Sequence, residues 1–278
     1  MSRKLQTPHT TVAKQDQVSS SSTCRRFLLS PGEAYELWAT MYDVSLNPLL
    51  ALEERHLLPL IPPMKNKAVL DLACGTGRWL KKLVELGARL GIGVDCSAAM
   101  LRIAATKFAM AHHLARADCT QLPFGAGFFD FAICSFALSH FPDLSVVSRE
   151  FAIALKPGAD LVVSDVHPEA YARGWRTAFR DGRTAVEIRT VVHPSRKVLK
   201  QFLSSGFDCC DLFSEPLGEP EKTLFLQSGR GHLFQSACET PAVFIARFRR
   251  NRSHVSREGN GDIIDLNRTL ECRTGKRV

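Results

Sequence analysis

Short apolar runs alternate with segments of helical periodicity through the middle of the chain. The apolar runs lie at about 67–72, 90–94, 114–117, 129–134 and 161–166. Apolar residues recur at helical spacing at about 77–86, 97–112 and 143–155. Because the runs are continuously apolar and do not alternate with polar residues, they are typical of parallel strands covered on both faces. The pattern therefore predicts an α/β fold with a doubly wound, mostly parallel sheet.

The first apolar run leads directly into a glycine turn. From residue 68 it reads AVLDLACGTGRW, with Asp71 in the strand and Gly75 and Gly77 in the turn. Glycine permits a tight turn and lets a bound molecule approach the backbone closely. A carboxylate buried in an apolar strand is costly unless it is paired. We therefore expect this turn to mark a ligand site at the carboxyl edge of the sheet.

Further elements flank the alternating region. Ser30-Pro31 and Asn47-Pro48 are typical helix starts, and we expect the two helices that follow to cover the sheet within residues 27–65. The alternation of strands and helices stops after the fifth strand. There we predict an insert at residues 168–193, with a hairpin around 180–183. The remaining predicted elements are a helix at about 195–204, a strand at 207–213, a loop-rich segment at 214–240 and a strand at 242–248.

The net charge of +8 resides at the two ends of the chain. Residues 1–26 carry five basic residues against one acidic residue, and residues 249–278 carry eight against four. Residues 27–248 are therefore formally neutral, which disfavours a nucleic-acid groove lined with phosphate contacts. We predict a disordered basic tail at 1–26, one domain at 27–248 and a flexible basic tail at 249–278.

The composition is that of an ordinary globular protein, with 45% hydrophobic and 23% charged residues. No run approaches the ~18 apolar residues of a membrane span, and the N-terminus lacks the apolar region of a signal peptide. Nine cysteines without C-x-x-C spacing suit a reducing cytosol better than a disulfide framework. We expect a cytoplasmic protein whose cysteines are small core residues and not metal ligands.

Three classes of ligand compete for the glycine turn. A phosphate-binding loop requires G-x-x-x-x-G-K-[ST], and the sequence contains no such string. A nicotinamide site favours G-x-G-x-x-G/A, and here the third position is Leu80. The larger side chain disfavours a dinucleotide without excluding it.

The third class emerges from several motifs taken together. They are the run from Asp71 to Gly77, the acidic residues Asp95 and Asp118 after the next two strands, FDFAICSFALSH at 129–140 and LKPGADLVV at 155–163. Together they resemble the class I S-adenosylmethionine-dependent methyltransferases. The likeness covers about 66–166 motif by motif and extends more loosely over 206–248.

Within that family the chain looks most like the small-molecule branch that includes the ubiquinone, menaquinone and biotin-precursor (malonyl-carrier) methyltransferases. The string Tyr35-x-x-Trp38-x-x-x-Tyr42-Asp43 supports that branch. The resemblance implies a Rossmann-like seven-stranded sheet with an antiparallel last strand. It also implies lid helices at 27–65, a cofactor-binding half at 66–166, and an acceptor insert and last strands at 167–248.

The residue types suit the chemistry of S-adenosylmethionine. Asp71 can hold the ammonium group, Asp95 can accept from both ribose hydroxyls, and Asp118 can accept from the adenine amino group. The resemblance places Cys96 and Met100 beside the adenine, and Ser135 and Tyr42 near the methionine part. The expected cofactor-binding set is Tyr42, Asp71, Ala73, Gly75, Thr76, Gly77, Asp95, Cys96, Met100, Asp118, Cys119 and Ser135.

Methyl transfer from a sulfonium is an in-line displacement, so the protein mainly positions the acceptor and excludes water. A general base is needed only where the acceptor must lose a proton. His140 and His167 follow the fourth and fifth strands and are the candidate catalytic residues. A histidine that only caps or lines the pocket is the alternative for each.

Two absent motifs narrow the acceptor. Enzymes that methylate amino groups of adenine or glutamine resemble one another in an Asn/Asp-Pro-Pro-Tyr string, where this chain has SFAL at 135–138. Methylation at cytosine C5 uses a Pro-Cys nucleophile, and Cys134 follows Ile133 inside a strand. We expect a small-molecule or lipid-like acceptor under the lid and insert, and nucleic acid is disfavoured. The basic tails suggest an acyl-carrier partner as a further hypothesis.

Two other functions stay open at this point. One is an S-adenosylmethionine-binding scaffold or sensor without turnover, and the other is an NAD-dependent oxidoreductase. The sequence leaves the acceptor, the methylated atom (O, N or C), the use of a general base and the oligomeric state open.

Overall fold

A computed structural model describes residues 25–107, 113–182 and 184–252. Its centre is a seven-stranded sheet in the order β4-β3-β2-β5-β6-β10-β9. The strands are β2 (Ala68–Leu72), β3 (Leu90–Asp95), β4 (Leu114–Arg116), β5 (Phe129–Ser135), β6 (Leu155–Val166), β9 (Phe207–Pro216) and β10 (Pro241–Arg250). All neighbouring pairs are parallel except those that include β10, which is antiparallel to β6 and to β9. The doubly wound sheet with an antiparallel last strand is confirmed.

Helices cover both faces of this sheet. They are α1 (Pro31–Tyr42), α2 (Pro48–Leu57), α3 (Arg78–Glu85), α4 (Ala98–Lys107), α5 (Leu144–Ala154), α6 (Pro168–Ala172), α7 (Ser195–Ser204), α8 (Glu219–Gln227) and α9 (Phe234–Cys238). The predicted N-terminal caps are present, since Ser30 forms a reciprocal capping box with Glu33 and Asn47 accepts from the Leu49 amide. The end of the helix predicted at 97–112 lies outside the described residues.

Two apolar layers pack on opposite faces of the central sheet. Leu70 and Leu72 of β2 point into one layer and Val69 into the other, as the period of two in a strand requires. Leu52 of α2 and Trp79 of α3 complete the second layer. Helix α2 is therefore part of the main core, which fixes the N-terminal segment beside the carboxyl edge of the sheet.

Leu80 is accommodated by glycines on the neighbouring strand. A Cβ atom on Gly91 or Gly93 of β3 would lie 2.8 Å from a Leu80 methyl group. The close helix–strand contact that a third glycine gives in a nicotinamide site is thus achieved by glycines on β3. The size of Leu80 shapes the packing of α3 without preventing it.

A second, three-stranded sheet was not predicted. It has the order β1-β8-β7 and consists of β1 (Arg25–Leu29), β7 (Ala178–Asp181) and β8 (Thr184–Ile188). The hairpin between β7 and β8 is the one predicted around 180–183, and β1 pairs with β8 in parallel. Helix α1 packs on this sheet, where Trp38 stacks on Phe179 with ring centroids 4.8 Å apart.

Several boundaries differ from the sequence prediction. Residues 25 and 26 belong to β1 and not to the N-terminal tail, and β10 extends to Arg250, past the predicted domain end at 248. The segment 214–240, predicted as loop-rich, contains α8 and α9. Strand β6 begins at Leu155, which pairs with Phe129 of β5, and regular pairing resumes at Asp160 after an irregular stretch in which Gly158 has a φ of 83°. The rest of both predicted tails lies outside the described residues.

Candidate active site

The carboxyl ends of β2, β3 and β5 open into a cavity of about 600 Å³, which we call the edge cavity. Nine of the twelve predicted cofactor-binding residues line it: Tyr42, Ala73, Gly75, Asp95, Cys96, Met100, Asp118, Cys119 and Ser135. His140, predicted as catalytic, lines it as well. Residues spread over nearly 100 positions of sequence therefore converge on one volume.

The glycine turn brings the backbone to the wall of the edge cavity. Ala73, Gly75 and Gly77 all have positive φ, at 55°, 53° and 74°. A Cβ atom built on Gly75 would meet no other atom within 4 Å, so a ligand can approach this backbone closely. Gly77 caps α3, whose N-terminal end faces the same turn.

Asp95 joins the glycine turn to the next helix. One of its carboxylate oxygens accepts from the Gly75 amide at 2.8 Å and the other from the Ser97 amide at 2.8 Å. Burial raises the pKa of Asp95, and the amide hydrogen bonds act in the opposite direction. Because each oxygen keeps a further acceptor position, Asp95 can accept from a diol in the cavity.

Asp71, Thr76 and Gly77 lie behind the edge cavity and not in its wall. Asp71 accepts from the Leu80 amide at 2.8 Å, so its carboxylate ties β2 to the first turn of α3. Thr76 is buried and donates to Asp43 at 2.7 Å. In this structure these three predicted residues support the turn from behind.

The burial of Asp71 makes the stability of the folded protein depend on pH. Burial raises its pKa from 3.8 to about 7. Between these values the folded protein holds a proton that the unfolded chain releases, so this group makes the folded state less stable as pH rises from about 4 to about 7. Asparagine does not titrate, so Asp71→Asn should not show this fall in stability with pH. At pH 8 we expect the free energy of unfolding of the ligand-free variant to exceed that of the wild type by up to ~4 kcal/mol.

Urea unfolding of the wild type and of Asp71→Asn at pH 5 and pH 8 measures the effect. The amide oxygen of asparagine can still accept from Leu80, so the comparison isolates the charge. Equal stability differences between the two proteins at both pH values would contradict the buried, proton-binding carboxyl.

Asp118 and Cys96 form the outer part of the edge cavity. Asp118 accepts from the amide and hydroxyl of Thr120 at 2.8 and 2.7 Å, and these bonds lower its pKa. The Cys96 carbonyl accepts from Arg116 Nε at 3.1 Å. Met100 is buried between this rim and α1. The rim thus combines an ionised, exposed carboxylate with an apolar surface.

Helix α1 lines one side of the edge cavity and is held there by two carboxylates, Glu36 within the helix and Asp43 at its C-terminal cap. Glu36 accepts from the Ser97 hydroxyl and the Ala99 amide, at 2.8 and 3.1 Å, at the start of α4. Asp43 accepts from Thr76 and lies 2.7 Å from Lys107 Nζ. The predicted lid is therefore attached to both of the loops that surround Asp95.

Glu53 of α2 is a buried residue beside the site that the sequence interpretation missed. Its buried carboxylate is hydrogen-bonded to Arg78, to Trp79 Nε1 at 3.1 Å and to the hydroxyls of Ser135 and Ser164. A signal for it was present, because Glu53 follows Leu49 by four residues and precedes Leu57 by four, on the apolar face of α2. The network joins the lid to α3, β5 and β6.

His140 and His167 are placed differently. His140 Nε2 lies 2.9 Å from the Tyr35 hydroxyl, and burial lowers the pKa of the imidazole to about 4. Its Nδ1 has no hydrogen-bond partner among the described residues. His167 caps α6 by accepting from the Glu169 amide at 3.2 Å and lines neither the edge cavity nor the one that adjoins it. Of the two histidines, the structure brings only His140 into the site.

A second, smaller cavity of about 50 Å³, which we call the inner cavity, adjoins the first. Tyr35, Tyr42 and Phe136 line both cavities. Phe136 has a positive φ of 51°, a strained conformation for an aromatic residue, and its amide donates to the Ser164 carbonyl at 3.0 Å. The inner cavity also receives Trp175 from the insert and Leu49 and Leu50 from α2.

The described part of the chain contains no cluster of three metal-ligating side chains. Its seven cysteines are free thiols, three of them buried. Within the same residues no helix has the length and apolar character needed to cross a bilayer.

Comparison with known proteins fits this geometry. Residues 69–158 match a family model described as a methyltransferase domain. The match covers about a third of the chain, from β2 to the start of β6, and shows that this part is similar to a methyltransferase domain. In a structure of an S-adenosylmethionine-dependent methyltransferase from Mesorhizobium loti, 73% of this chain superposes on 100% of that one with a TM-score of 0.60, at 22% sequence identity. At that identity the superposition shows the methyltransferase fold.

Two curated relatives show which methyltransferases the sequence is similar to. A demethylmenaquinone methyltransferase from Lactiplantibacillus plantarum is 33% identical over 148 residues, which are 49% of this chain and 62% of the relative. A sterol 4-C-methyltransferase from Caenorhabditis elegans is 30% identical over 116 residues, 40% of this chain and 34% of the relative. The chain thus spans less than two thirds of the length of each.

Proposed function

We propose that this protein is an S-adenosylmethionine-dependent methyltransferase that acts on a small-molecule or lipid-like acceptor. The observation that carries the proposal is the pair of adjoining cavities. The edge cavity, at the glycine turn, provides room and polar groups for an adenosyl amino acid, and the apolar inner cavity meets it at Tyr35, Tyr42 and Phe136. Such a pair is what transfer between two bound molecules requires.

The residues of the edge cavity fit S-adenosylmethionine by their chemistry. Asp95 would accept from the ribose diol, Asp118 from the adenine amino group, and the backbone at Gly75 would lie along the amino-acid part. Cys96, Met100 and Cys119 would pack on the adenine. When bound, the cofactor supplies an activated methyl group. The protein contributes binding, orientation and exclusion of water by the lid.

The demethylmenaquinone and sterol relatives support an apolar acceptor. The formally neutral body between residues 27 and 248 supports an acceptor other than nucleic acid. A docked acyl carrier would instead depend on the basic ends of the chain. For His140 we propose a neutral, hydrogen-bonding role at the junction with Tyr35, because its low pKa leaves it uncharged at neutral pH.

Calorimetry with S-adenosylhomocysteine and with NADH tests the cofactor assignment. We expect S-adenosylhomocysteine to bind with a dissociation constant in the micromolar range and NADH to give no heat. Binding of NADH alone would favour the oxidoreductase instead.

Turnover separates an enzyme from a binding scaffold. Incubation with methyl-labelled S-adenosylmethionine and a lipid and metabolite extract should yield labelled product by mass spectrometry. Cofactor binding without any labelled product in a panel of apolar extracts would favour the scaffold.

A further inference from the structure

Three aromatic residues mark the junction where the edge cavity meets the inner cavity. Tyr35, Tyr42 and Phe136 line both cavities. The Tyr35 ring lies edge to face with the Tyr42 ring, at a centroid distance of 6.3 Å, and with the His140 ring, at 5.3 Å. A cation over the face of an aromatic ring is attracted by the π-electrons. The junction therefore offers a surface that favours a positive charge over a neutral group.

Asp165 adds a negative charge beside this junction. It lines the inner cavity, and because this cavity holds only about 50 Å³, the side chains in its wall lie close to the rings at the junction. The pKa of the Tyr35 hydroxyl reflects this proximity, since it is raised by burial, by Tyr42 and by the Asp165 carboxylate. Asp165 is 7% exposed, so water screens its charge only weakly.

No cation in the cavity walls balances the charge of Asp165. Within the described part of the chain Asp165 has no ion-pair partner. Arg176, the other charged residue of the inner cavity, lies 3.6 Å from Glu187. The edge cavity contributes two carboxylates and one guanidinium group, those of Asp95, Asp118 and Arg116. The charged side chains that line the two cavities are therefore negative in sum.

The Asp165 carboxylate is held in place by three hydrogen bonds. Its Oδ2 accepts from the Ser139 amide at 2.6 Å, and its Oδ1 accepts from the Val166 amide at 2.7 Å and the Ser139 hydroxyl at 3.3 Å. Burial raises the pKa of Asp165 to about 6, so the carboxylate is ionised at pH 8. A fixed, ionised group interacts with a ligand cation without first reorganising.

We propose that the junction selects the positive charge of the cofactor's sulfonium group, with Asp165 as the counter-charge and the three rings as the contact surface. This inference rests on the proposed function, because methyl transfer between the two cavities requires the sulfur to lie at the junction. S-Adenosylhomocysteine has the same adenosyl and amino-acid parts but an uncharged sulfur. It lacks the attraction to Asp165, so the product of transfer is held more weakly than the cofactor and is released more readily.

The affinities of three ligands for the full-length protein test this selection without an acceptor. The ligands, titrated by calorimetry at pH 8, are S-adenosylmethionine, S-adenosylhomocysteine and sinefungin, in which a carbon bearing an ammonium group replaces the sulfonium. We expect both cationic ligands to bind about tenfold or more tightly than S-adenosylhomocysteine, because only they carry a charge opposite to that of Asp165. Equal affinities, or tighter binding of S-adenosylhomocysteine, overturn the proposal, and this result needs no variant to fold.

Asp165→Asn tests the counter-charge. The asparagine oxygen can still accept from Ser139, so the variant removes the charge and keeps part of the hydrogen bonding. We expect its affinity for the two cationic ligands to fall about tenfold, and its affinity for S-adenosylhomocysteine to stay within about twofold of the wild type. A preference for the cationic ligands that persists in Asp165→Asn overturns the role of Asp165.

Asp211→Asn is the matched control for the loss of a carboxylate. Asp211 pairs with Arg247 on β9 and β10 and lines neither cavity. We expect this variant to keep the ratio of affinities of the wild type. An equal fall of the ratio in the Asp165 and Asp211 variants would overturn the assignment of the counter-charge to Asp165.

Tyr35→Phe and Tyr35→Leu test the contact surface. Phenylalanine keeps the ring and loses the hydroxyl, whereas leucine removes the ring. We expect Tyr35→Phe to keep the preference for the cationic ligands and Tyr35→Leu to reduce it about threefold. An equal preference in the two variants overturns the contribution of the ring.

The ligand series also separates this inference from the proposed function. If none of the three ligands binds, the proposed function is wrong and the selection at the junction is wrong with it. If all three bind with equal affinity, the proposed function stands and only the selection of charge is overturned.

Discussion

Replacing Glu53 with alanine is expected to lower the free energy of unfolding by about 3–5 kcal/mol, because it removes the buried carboxylate of the Arg78 ion pair and leaves this guanidinium only the partly exposed Glu54, at 3.6 Å. The Trp79 indole and the hydroxyls of Ser135 and Ser164 lose their acceptor as well. Ordinary domains are stable by about 5–15 kcal/mol, so a loss of this size removes a large share of the total. Urea unfolding followed by tryptophan fluorescence measures it.

Glu54→Ala is the matched control on the same helix. Glu54 is 37% exposed in its side chain and contacts Lys82 at 2.8 Å and Arg78 at 3.6 Å. Exposed pairs of this kind are worth about 0–1 kcal/mol, so the control should unfold close to the wild type. Equal effects of the two substitutions would contradict the role of Glu53 as the buried centre of the network.

Replacing Asp95 with alanine is expected to weaken S-adenosylhomocysteine binding by about 100-fold, or ~2.7 kcal/mol. The substitution removes the proposed acceptor for the ribose diol. It also leaves the amides of Gly75 and Ser97 without their carboxylate partner, so the glycine turn loses its link to the start of α4. The loss of the ribose acceptor and the loosening of the glycine turn together account for the size of the expected loss in affinity.

Asp118→Ala is the comparison for this measurement. Asp118 is exposed and already accepts twice from Thr120, so we expect a loss of about tenfold at most. Calorimetry at constant salt and pH, with thermal unfolding of each variant as a check on folding, gives both numbers. Binding by Asp95→Ala within about threefold of the wild type would contradict the placement of the ribose.

The central sheet could be predicted because each of its strands, and each helix between them, is specified by residues close together in the sequence. Continuous apolar runs, helix caps and the turn from Ala73 to Gly77 each specify one element within a dozen residues. The convergence of Asp95, Asp118 and Ser135 followed from the rule that carboxyl ends of parallel strands share one edge. That rule places residues at an edge of the sheet, but it does not say which side chains line the cavity. The Asp71 carboxylate, for example, is directed at the Leu80 amide of α3 and does not line the edge cavity.

Features that depend on contacts between distant parts of the chain could not be predicted from the sequence. Strand β1 has two exposed apolar residues, Phe27 and Leu28, and becomes a strand through pairing with β8, about 160 residues further on. Glu53 reads as one charged residue among several in LEERH, and its importance appears only when Arg78 and Trp79 are brought against it. Tertiary pairing decides such positions, and local propensity does not.

Asp165 is the instructive case within the site. In the sequence Asp165 is the last but one residue of an apolar strand, and the residue predicted as catalytic is His167, two positions later. The structure instead turns His167 to the cap of α6 and leaves the Asp165 carboxylate in the inner cavity.

The most direct test of the account is a crystal structure of the protein grown with S-adenosylhomocysteine. We expect the ligand in the edge cavity, with its ribose hydroxyls on Asp95, its adenine beside Asp118 and Met100, and its sulfur directed at the junction formed by Tyr35 and Phe136. A ligand bound in the inner cavity, or an edge cavity that stays empty at saturating ligand, would contradict the account.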